Sequence, residues 1–264
     1  MAARTRASLP IKKTFCRQVL TVYGRNAVLE ALRDDSLPCY AIHLAESNRR
    51  DRTIEEIEGI AAKRGIEIKH HTRQALARIS RNGRQDQGVA ADIICPAFSS
   101  AIDFIEGKLD GPALRLLALD GITNPQNLGM IIRSATAGAI DGIIYQDRGT
   151  ASLGPLVIKA SAGTVYRAPM LVCDSLHSTL ETCQNRGLEL CTLEASATTS
   201  LFEHQPEGHC IFVLGNETEG VSAPISALAN TALAIPMENG VESLNVAVSA
   251  SLVAYAGLLA RQSL

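Results

Sequence analysis

Apolar and polar positions fall into two successive patterns along this chain, each mixing strand-like runs with helix-like spacing. The first begins near Val22. Gly24 precedes a predicted helix over 26–33, and an apolar run over 40–44 reads as a strand. Between 51 and 64, Ile54, Ile57, Ile60 and Ala61 recur at helical spacing, while Glu55, Glu56 and Glu58 take the other positions. Gly65 then supplies a residue that tolerates the left-handed conformation at a helix end. A strand over 66–69, a short helix over 74–79 and a strand over 88–93 complete a domain assigned to residues 21–95, of roughly 75 residues and within the usual size range.

Residues 96–111, with Pro96, Ser99, Ser100 and then Asp110-Gly111-Pro112, are expected to be a linker. The second domain, 112–264, opens with a strong strand over 114–119. Helices are predicted from 128, over 153–161 and over 176–185, alternating with strands near 142–145, 170–173 and 188–193. Strands over 209–214 and 233–236 and a helix over 245–261 follow. Strands that alternate with helices imply a mostly parallel sheet covered on both faces, so the fold class is α/β. The last helix is apolar or small nearly all round, which requires burial on every side. Small residues at Ala250, Ala254 and Gly257 would let another backbone approach closely, either in a monomer core or across a two-fold interface.

Charge separates the two halves. Residues 1–110 carry 18 basic against 14 acidic side chains, and residues 111–264 carry 7 against 13. The first half is therefore the one suited to meet a polyanion. Residues 1–20 are basic, without an acid, and fit either an arm that touches RNA or, as the second choice, a mitochondrial transit segment. Lys69, Arg73, Arg78, Arg81 and Arg84 stand in a tract without acids; such a tract is a solvated face by default and a phosphate-contacting surface in an RNA binder. With no Trp, an aromatic stacking platform is not evident. No apolar run is long enough to span a bilayer, and a cytoplasmic location is expected. The cysteines Cys16, Cys39, Cys95, Cys173, Cys183, Cys191 and Cys210 form no C-x-x-C and no zinc-spaced cluster with His. Reduced core thiols, and no metal site, are the expectation.

Walker, dinucleotide-glycine, nucleophile-elbow and H-E-x-x-H signatures are all missing. A nucleotide-dependent metabolic enzyme on a doubly wound sheet lacks its glycine fingerprint here. Three segments instead place Gly, amides and carboxylates directly after apolar strands, where open α/β sheets hold ligands. They are 119–133, 212–220 and 235–246. One such segment would be an ordinary turn; three, with two leading straight into helices, point to a site.

These segments resemble the SpoU/TrmH group of the SPOUT superfamily of RNA methyltransferases. The N-x-G-x-x-x-R string is Asn127, Gly129 and Arg133; G-x-E-x-x-G is Gly215, Glu217 and Gly220. The third is Ile235-Pro236-Met237 followed by Ser243-Leu244-Asn245-Val246. The segment 22–32, with Arg25, is similar to the start of the family's N-terminal substrate-binding domain, itself related to RNA-binding ribosomal proteins, and 87–91 resembles its last strand. The resemblance implies a parallel sheet tied in a deep trefoil knot, a homodimer with a shared site, and S-adenosylmethionine as cofactor. It implies a cofactor pocket from Leu214, Gly215, Asn216, Gly220, Ile235, Pro236, Met237, Ser243, Leu244 and Asn245. Its catalytic set would be Asn127, Arg133, Glu217, Ser243 and Asn245, and its RNA-contacting set would add Arg25 to the basic tract. The implied reaction is methylation of a ribose 2′-hydroxyl, on a guanosine of large-subunit ribosomal RNA; transfer RNA is the alternative target, and a non-catalytic RNA-binding or ribosome-associated protein the alternative class. Asn127 and Asn245 each also stand where a helix N-cap is wanted.

Overall fold

The computed structural model describes residues 17–262 apart from Glu217, with side chains to Leu259. The expected basic arm falls mostly on residues 1–16, outside the described residues. The chain forms two compact units, residues 1–96 and 97–264.

The first unit is a mixed four-stranded sheet in the order β1-β4-β2-β3. Its strands are β1 (Val19–Tyr23), β2 (Cys39–Ala45), β3 (Glu67–His71) and β4 (Val89–Ile94). The helices are α1 (Arg25–Arg33), α2 (Arg52–Arg64) and α3 (Arg73–Ser80). β4 runs antiparallel to β1 and β2, while β2 and β3 are parallel. β1 was hidden in the basic arm: its alternating burial over only five residues is a weak signal beside a charged leader. The helix ends follow from single residues. The Asp51 carboxylate accepts from the Ile54 N–H at 2.9 Å to start α2, and Gly65 at φ 66° ends it.

The second unit is an eight-stranded parallel sheet, in the order β10-β12-β9-β11-β6-β7-β8-β5. The strands in chain order are β5 (Ser99–Ser100), β6 (Arg115–Leu119), β7 (Gly142–Gln146), β8 (Met170–Cys173), β9 (Glu189–Leu193), β10 (Thr199–Ser200), β11 (Cys210–Leu214) and β12 (Thr231–Ala234). The helices are α4 (Ala101–Glu106), α5 (Pro125–Ala137), α6 (Pro155–Ala160), α7 (Leu176–Asn185), α8 (Ala223–Ser226) and α9 (Val246–Gln262). Every residue of β11 is buried, as is Leu116 to Leu119 in β6. That is why both read as unbroken apolar runs, the mark of strands covered on two faces.

Residues 96–111, expected as a linker, carry β5 and α4 and are built into this unit. Ala101 and Ile105 sit in the core with Leu171 and Leu180, and Phe104 and Leu109 pack against it; the flanking Pro, Ser and Gly residues masked this short amphipathic run. From β6 the chain steps to β7 and β8, then returns to lay down β9; β11 later inserts between β9 and β6. The sheet thus changes direction beside β6 and β11, and loops leaving strand ends at such a point form a crevice.

The small residues of α9 face the chain's own core. A Cβ on Gly138, just past α5, would lie 2.6 Å from the Ala254 Cβ, so these two helices pack at backbone distance. Ala250 and Ala254 are fully buried, and a Cβ on Gly257 would meet the Arg115 guanidinium. The close approach is therefore made within the protomer. Val248 and Tyr255, on other turns of α9, remain 46% and 44% exposed. Among the described residues no helix is long and apolar enough to cross a membrane.

Candidate functional site

The three motif segments leave the C-terminal ends of β6, β11 and β12. Asn124, rather than Asn127, caps α5: its Oδ1 accepts from the N–H groups of Gln126 at 2.8 Å and Asn127 at 3.4 Å. Pro125 follows at the first helical position, where its missing N–H costs nothing. Asn127 is thereby carried inside the first turn, and it is 6% exposed. Its Oδ1 accepts from the Asn245 Nδ2 at 3.2 Å. Asn245 does cap its helix, accepting from the Ala247 N–H at 2.9 Å. One amide thus fixes the start of α9 with its oxygen and ties that start to α5 with its nitrogen, joining residues 118 apart in sequence.

The second motif is a tight loop closed on itself. A Cβ on Gly215 would lie 1.9 Å from the Gly220 carbonyl carbon, so only glycine fits. The Asn216 side chain accepts from the N–H groups of Thr218 at 2.9 Å and Glu219 at 2.7 Å, and the Gly220 N–H donates to the Asn216 carbonyl at 3.0 Å. Gly220 adopts φ 69°. The Asp120 carboxylate, at the end of β6, accepts from the Ser222 N–H at 2.7 Å, pinning this loop to the first segment. Glu217 lies outside the described residues.

The third motif is an extended stretch from Ile235 to Asn245 without regular structure. Ile235, Met237 and Leu244 are half-buried, whereas Pro236 and Ser243 are exposed. Among the described residues, the N–H groups of Ile235, Met237, Ser243 and Leu244 bond to no other protein group. β9 lies between β11 and β12, so its end, with Glu194, opens between the second and third motif loops. Glu194 accepts from the Thr192 hydroxyl at 3.0 Å and donates its N–H to Leu233. Asp120 and Glu194 line the loop ends beside the motifs and were not singled out from the sequence. Each is an acid placed directly after a buried strand, a signal that was available.

Arg133 is not brought to this cluster. It is exposed on a face of α5 it shares with Met130, itself 41% exposed, and away from Asn127. Gly129 serves packing: a Cβ there would lie 2.5 Å from the Ala160 Cβ on α6.

In the first unit, Arg73, Arg78, Arg81 and Arg84 are exposed around α3 and the turn after it. Lys69 is half-buried, 3.3 Å from the Glu67 carboxylate and 5.3 Å from the Tyr40 ring centre. Arg25 is engaged within the unit: it pairs with Asp51 and donates to the Gln87 carbonyl at 3.4 Å. The Ile54 N–H first, with Arg25 beside it, holds the Asp51 carboxyl below its ordinary value. Its ion pair gives Arg25 a part in anchoring α2 inside the unit.

The chain matches the SpoU rRNA Methylase family over residues 115–255, and the RNA 2′-O ribose methyltransferase substrate-binding family over 21–96. An uncharacterized tRNA/rRNA methyltransferase of Mycolicibacterium smegmatis is 34% identical over 233 residues, 88% of this chain and 74% of that protein. Among solved structures, the SpoU methyltransferase AviRb from Streptomyces viridochromogenes, in complex with AdoMet, aligns with a TM-score of 0.64 at 20% identity, covering 93% of this chain and 91% of that one. The AdoMet-bound rRNA methyltransferase of Sinorhizobium meliloti aligns at 0.63 and 18% identity, covering 99% and 97%. At these identities the two structures speak for the fold. Family matches across both units, with a relative this similar along most of the chain, establish that the protein belongs to the SpoU family and is an RNA methyltransferase.

Proposed function

We propose that this protein transfers a methyl group from S-adenosylmethionine to a ribose 2′-hydroxyl, on a guanosine of large-subunit ribosomal RNA. The observation that carries the reading is the hydrogen bond from Asn245 to Asn127, which holds the first and third motifs together at the strand ends. The residues present suit the cofactor. Unbonded N–H groups along Ile235 to Leu244 offer partners to the edge of an adenine and to a ribose, and half-buried Ile235, Met237 and Leu244 offer apolar surface to a purine face. When bound, S-adenosylmethionine supplies a methyl group already activated on a sulfonium.

The protein's share is alignment and charge. The 2′-oxygen must approach the methyl carbon in line with the breaking carbon–sulfur bond, and fixing that geometry contributes up to roughly 7–11 kcal/mol in favourable systems. The paired amides of Asn127 and Asn245 hold the loops that set it. A guanidinium offers donors and no acceptor, so Arg133 grips a phosphate and stabilises the developing alkoxide instead of acting as a base. The proton leaves to water or through Ser243 or Glu217. Exposed on its own protomer, Arg133 serves the site of a second copy in a homodimer built on α9 and its exposed Val248 and Tyr255. The reversal in strand order around β11 suits a chain threaded into a trefoil knot, and the protein works in the cytoplasm. Mapping 2′-O-methyl groups by mass spectrometry, in RNA from cells with and without the protein, tests the reading. A site lost from large-subunit ribosomal RNA is expected. Loss from transfer RNA would move the substrate, and no loss would remove the activity.

A further inference from the structure

Away from the motif loops, three unlike donors converge in the second unit. Glu189 and Cys191 are two residues apart in β9 and so point to the same face of the sheet. His204 follows β10 and comes back over them. Its Nε2 stands 3.3 Å from the Glu189 carboxylate and 3.7 Å from the Cys191 Sγ. All three donor atoms lie within 4.8 Å of one another.

Hydrogen bonding accounts for this arrangement only in part: the Glu189 carboxylate can take hydrogens from both the Cys191 thiol and the imidazole, which leaves the thiol and the ring nitrogen 3.7 Å apart with no hydrogen between them. A single ring nitrogen faces both groups. If it carries hydrogen it can donate to the carboxylate but cannot accept from the thiol; if it is bare it can accept from the thiol but turns a lone pair toward the carboxylate. The nitrogen–oxygen separation also exceeds the roughly 2.7–2.9 Å of a charge-assisted bond. Both separations match the edges of a tetrahedron around zinc instead. With zinc–sulfur near ~2.3 Å and zinc–nitrogen and zinc–oxygen near ~2.1 Å, tetrahedral angles put sulfur and nitrogen about 3.6 Å apart, and nitrogen and oxygen about 3.4 Å apart.

We propose that Glu189, Cys191 and His204 bind one zinc ion, a site separate from the methyl-transfer loops. A thiolate, a carboxylate and a neutral imidazole neutralise the divalent charge, so the occupied site can sit half-buried without net charge. Three protein ligands leave a fourth position for water, and Glu189 and His204 are both only partly covered. The Glu189 carboxylate is already oriented: its other oxygen accepts from the Thr231 hydroxyl at 2.6 Å. The ion would fasten the connection between β10 and β11 onto β9. Spacing along the sequence did not reveal the set, because Cys191 and His204 are 13 residues apart and Glu189 belongs to no Cys/His motif.

The test uses the full-length protein, stripped of metal with a chelator and titrated with cobalt(II), then with zinc as competitor. The expected result is a thiolate-to-cobalt charge-transfer band that saturates at one ion per chain and is displaced by zinc. Cys191→Ser and His204→Gln should each abolish the band while circular dichroism stays native. Thr231→Val keeps all three ligands and should weaken zinc binding roughly 10–100-fold. His204 is half-buried beyond the end of β10, so its variant keeps the test decisive if Cys191→Ser fails to fold. No band with the wild-type protein, or an unchanged band with His204→Gln, would overturn the assignment.

Discussion

The two units bury different kinds of polar group. In the first, an imidazole and a carboxyl, His43 and Asp86, are buried together with Ser80; in the second, the buried polar residues are amide and hydroxyl side chains alone, Asn127, Ser161, Thr179 and Thr192. The surfaces differ in the same sense. The first unit exposes arginines around α3, whereas the motif loops of the second offer amides and backbone N–H groups. A surface that meets phosphate works through charge, so salt and pH alter it. A pocket that holds a nucleoside works through dipoles and shape, which are indifferent to both.

The largest effect is expected at Arg133, the cation that the proposed mechanism uses. Arg133→Ala is expected to lower methyl transfer by about 10²–10³-fold, with S-adenosylmethionine binding by calorimetry unchanged. Arg133→Lys should be nearly as poor, since a point charge cannot reproduce a planar two-pronged grip. Asn245→Ala loses both the helix cap and the bond to Asn127, and should weaken the cofactor site as well. Mixing Arg133→Ala with Asn245→Ala chains should restore activity, because one site of the heterodimer keeps both residues. Heterodimers that form and stay inactive would place both residues in one chain's site.

Next in size is the division of labour. A fragment of residues 97–264 should keep cofactor binding and lose most RNA affinity. Cutting at 112 instead would remove β5 and α4 and expose core side chains such as Leu171. If Arg73, Arg78, Arg81 and Arg84 each neutralise one phosphate, replacing all four should flatten the slope of log K against log salt by about 3–4. An unchanged slope would mean that these arginines do not meet the RNA phosphates.

The chain pattern made most of the second unit legible, because parallel strands buried on two faces have unbroken apolar runs and long helices between them. Leu176–Asn185 matches the predicted helix limits. Less was visible where two-residue strands such as Ser99–Ser100 and Thr199–Ser200 complete the sheet, since such strands have no periodicity to detect. The motif strings marked the loops that leave β6, β11 and β12. They did not show which amide caps α5, because Asn124 and Asn127 both precede helical residues and only the Pro125 turn decides between them. The small residues on α9 were open to two uses, with the resemblance favouring a dimer interface; the contact of Gly138 with Ala254 shows that Ala254 serves the chain's own core.

That ambiguity yields a smaller, sharper prediction. Ala254→Asp buries an unpaired charge against α5 and should unfold the second unit. Val248→Glu and Tyr255→Glu change exposed positions of the same helix. They should leave circular dichroism native and weaken the proposed dimer by about 2 kcal/mol, roughly 30-fold in Kd. Sedimentation that shows unchanged dimers in both would move the interface off this face of α9.

The smallest effect tests the ionisable network around buried His43 in the first unit. His43 Nε2 lies 3.0 Å from the Asp92 carboxylate, and its Nδ1 lies 2.9 Å from the Nε2 of His71. Thr21 donates to the other Asp92 oxygen at 2.7 Å. A consistent assignment has His43 donating to Asp92 and accepting from a neutral His71. Burial raises the Asp92 carboxyl, but the hydrogen bonds from His43 and Thr21 outweigh it and hold the group below its ordinary 3.8. Burial, then the neighbouring His43, holds His71 below its ordinary 6.5. For both groups the unfolded chain takes up the proton first, so stability falls as pH falls. The His71 part is complete above 6.5 and declines as pH drops from there to its lower folded value. The Asp92 part is complete above 3.8 and is lost only as pH falls through its own depressed value. Amide exchange corrected for intrinsic rates, compared between about pH 7 and pH 5, should therefore show β2 and β4 losing a few-fold more protection than β11. His71→Gln should remove that difference. Equal losses in the two sheets would mean that the ionisable network contributes nothing to the acid response of the first unit.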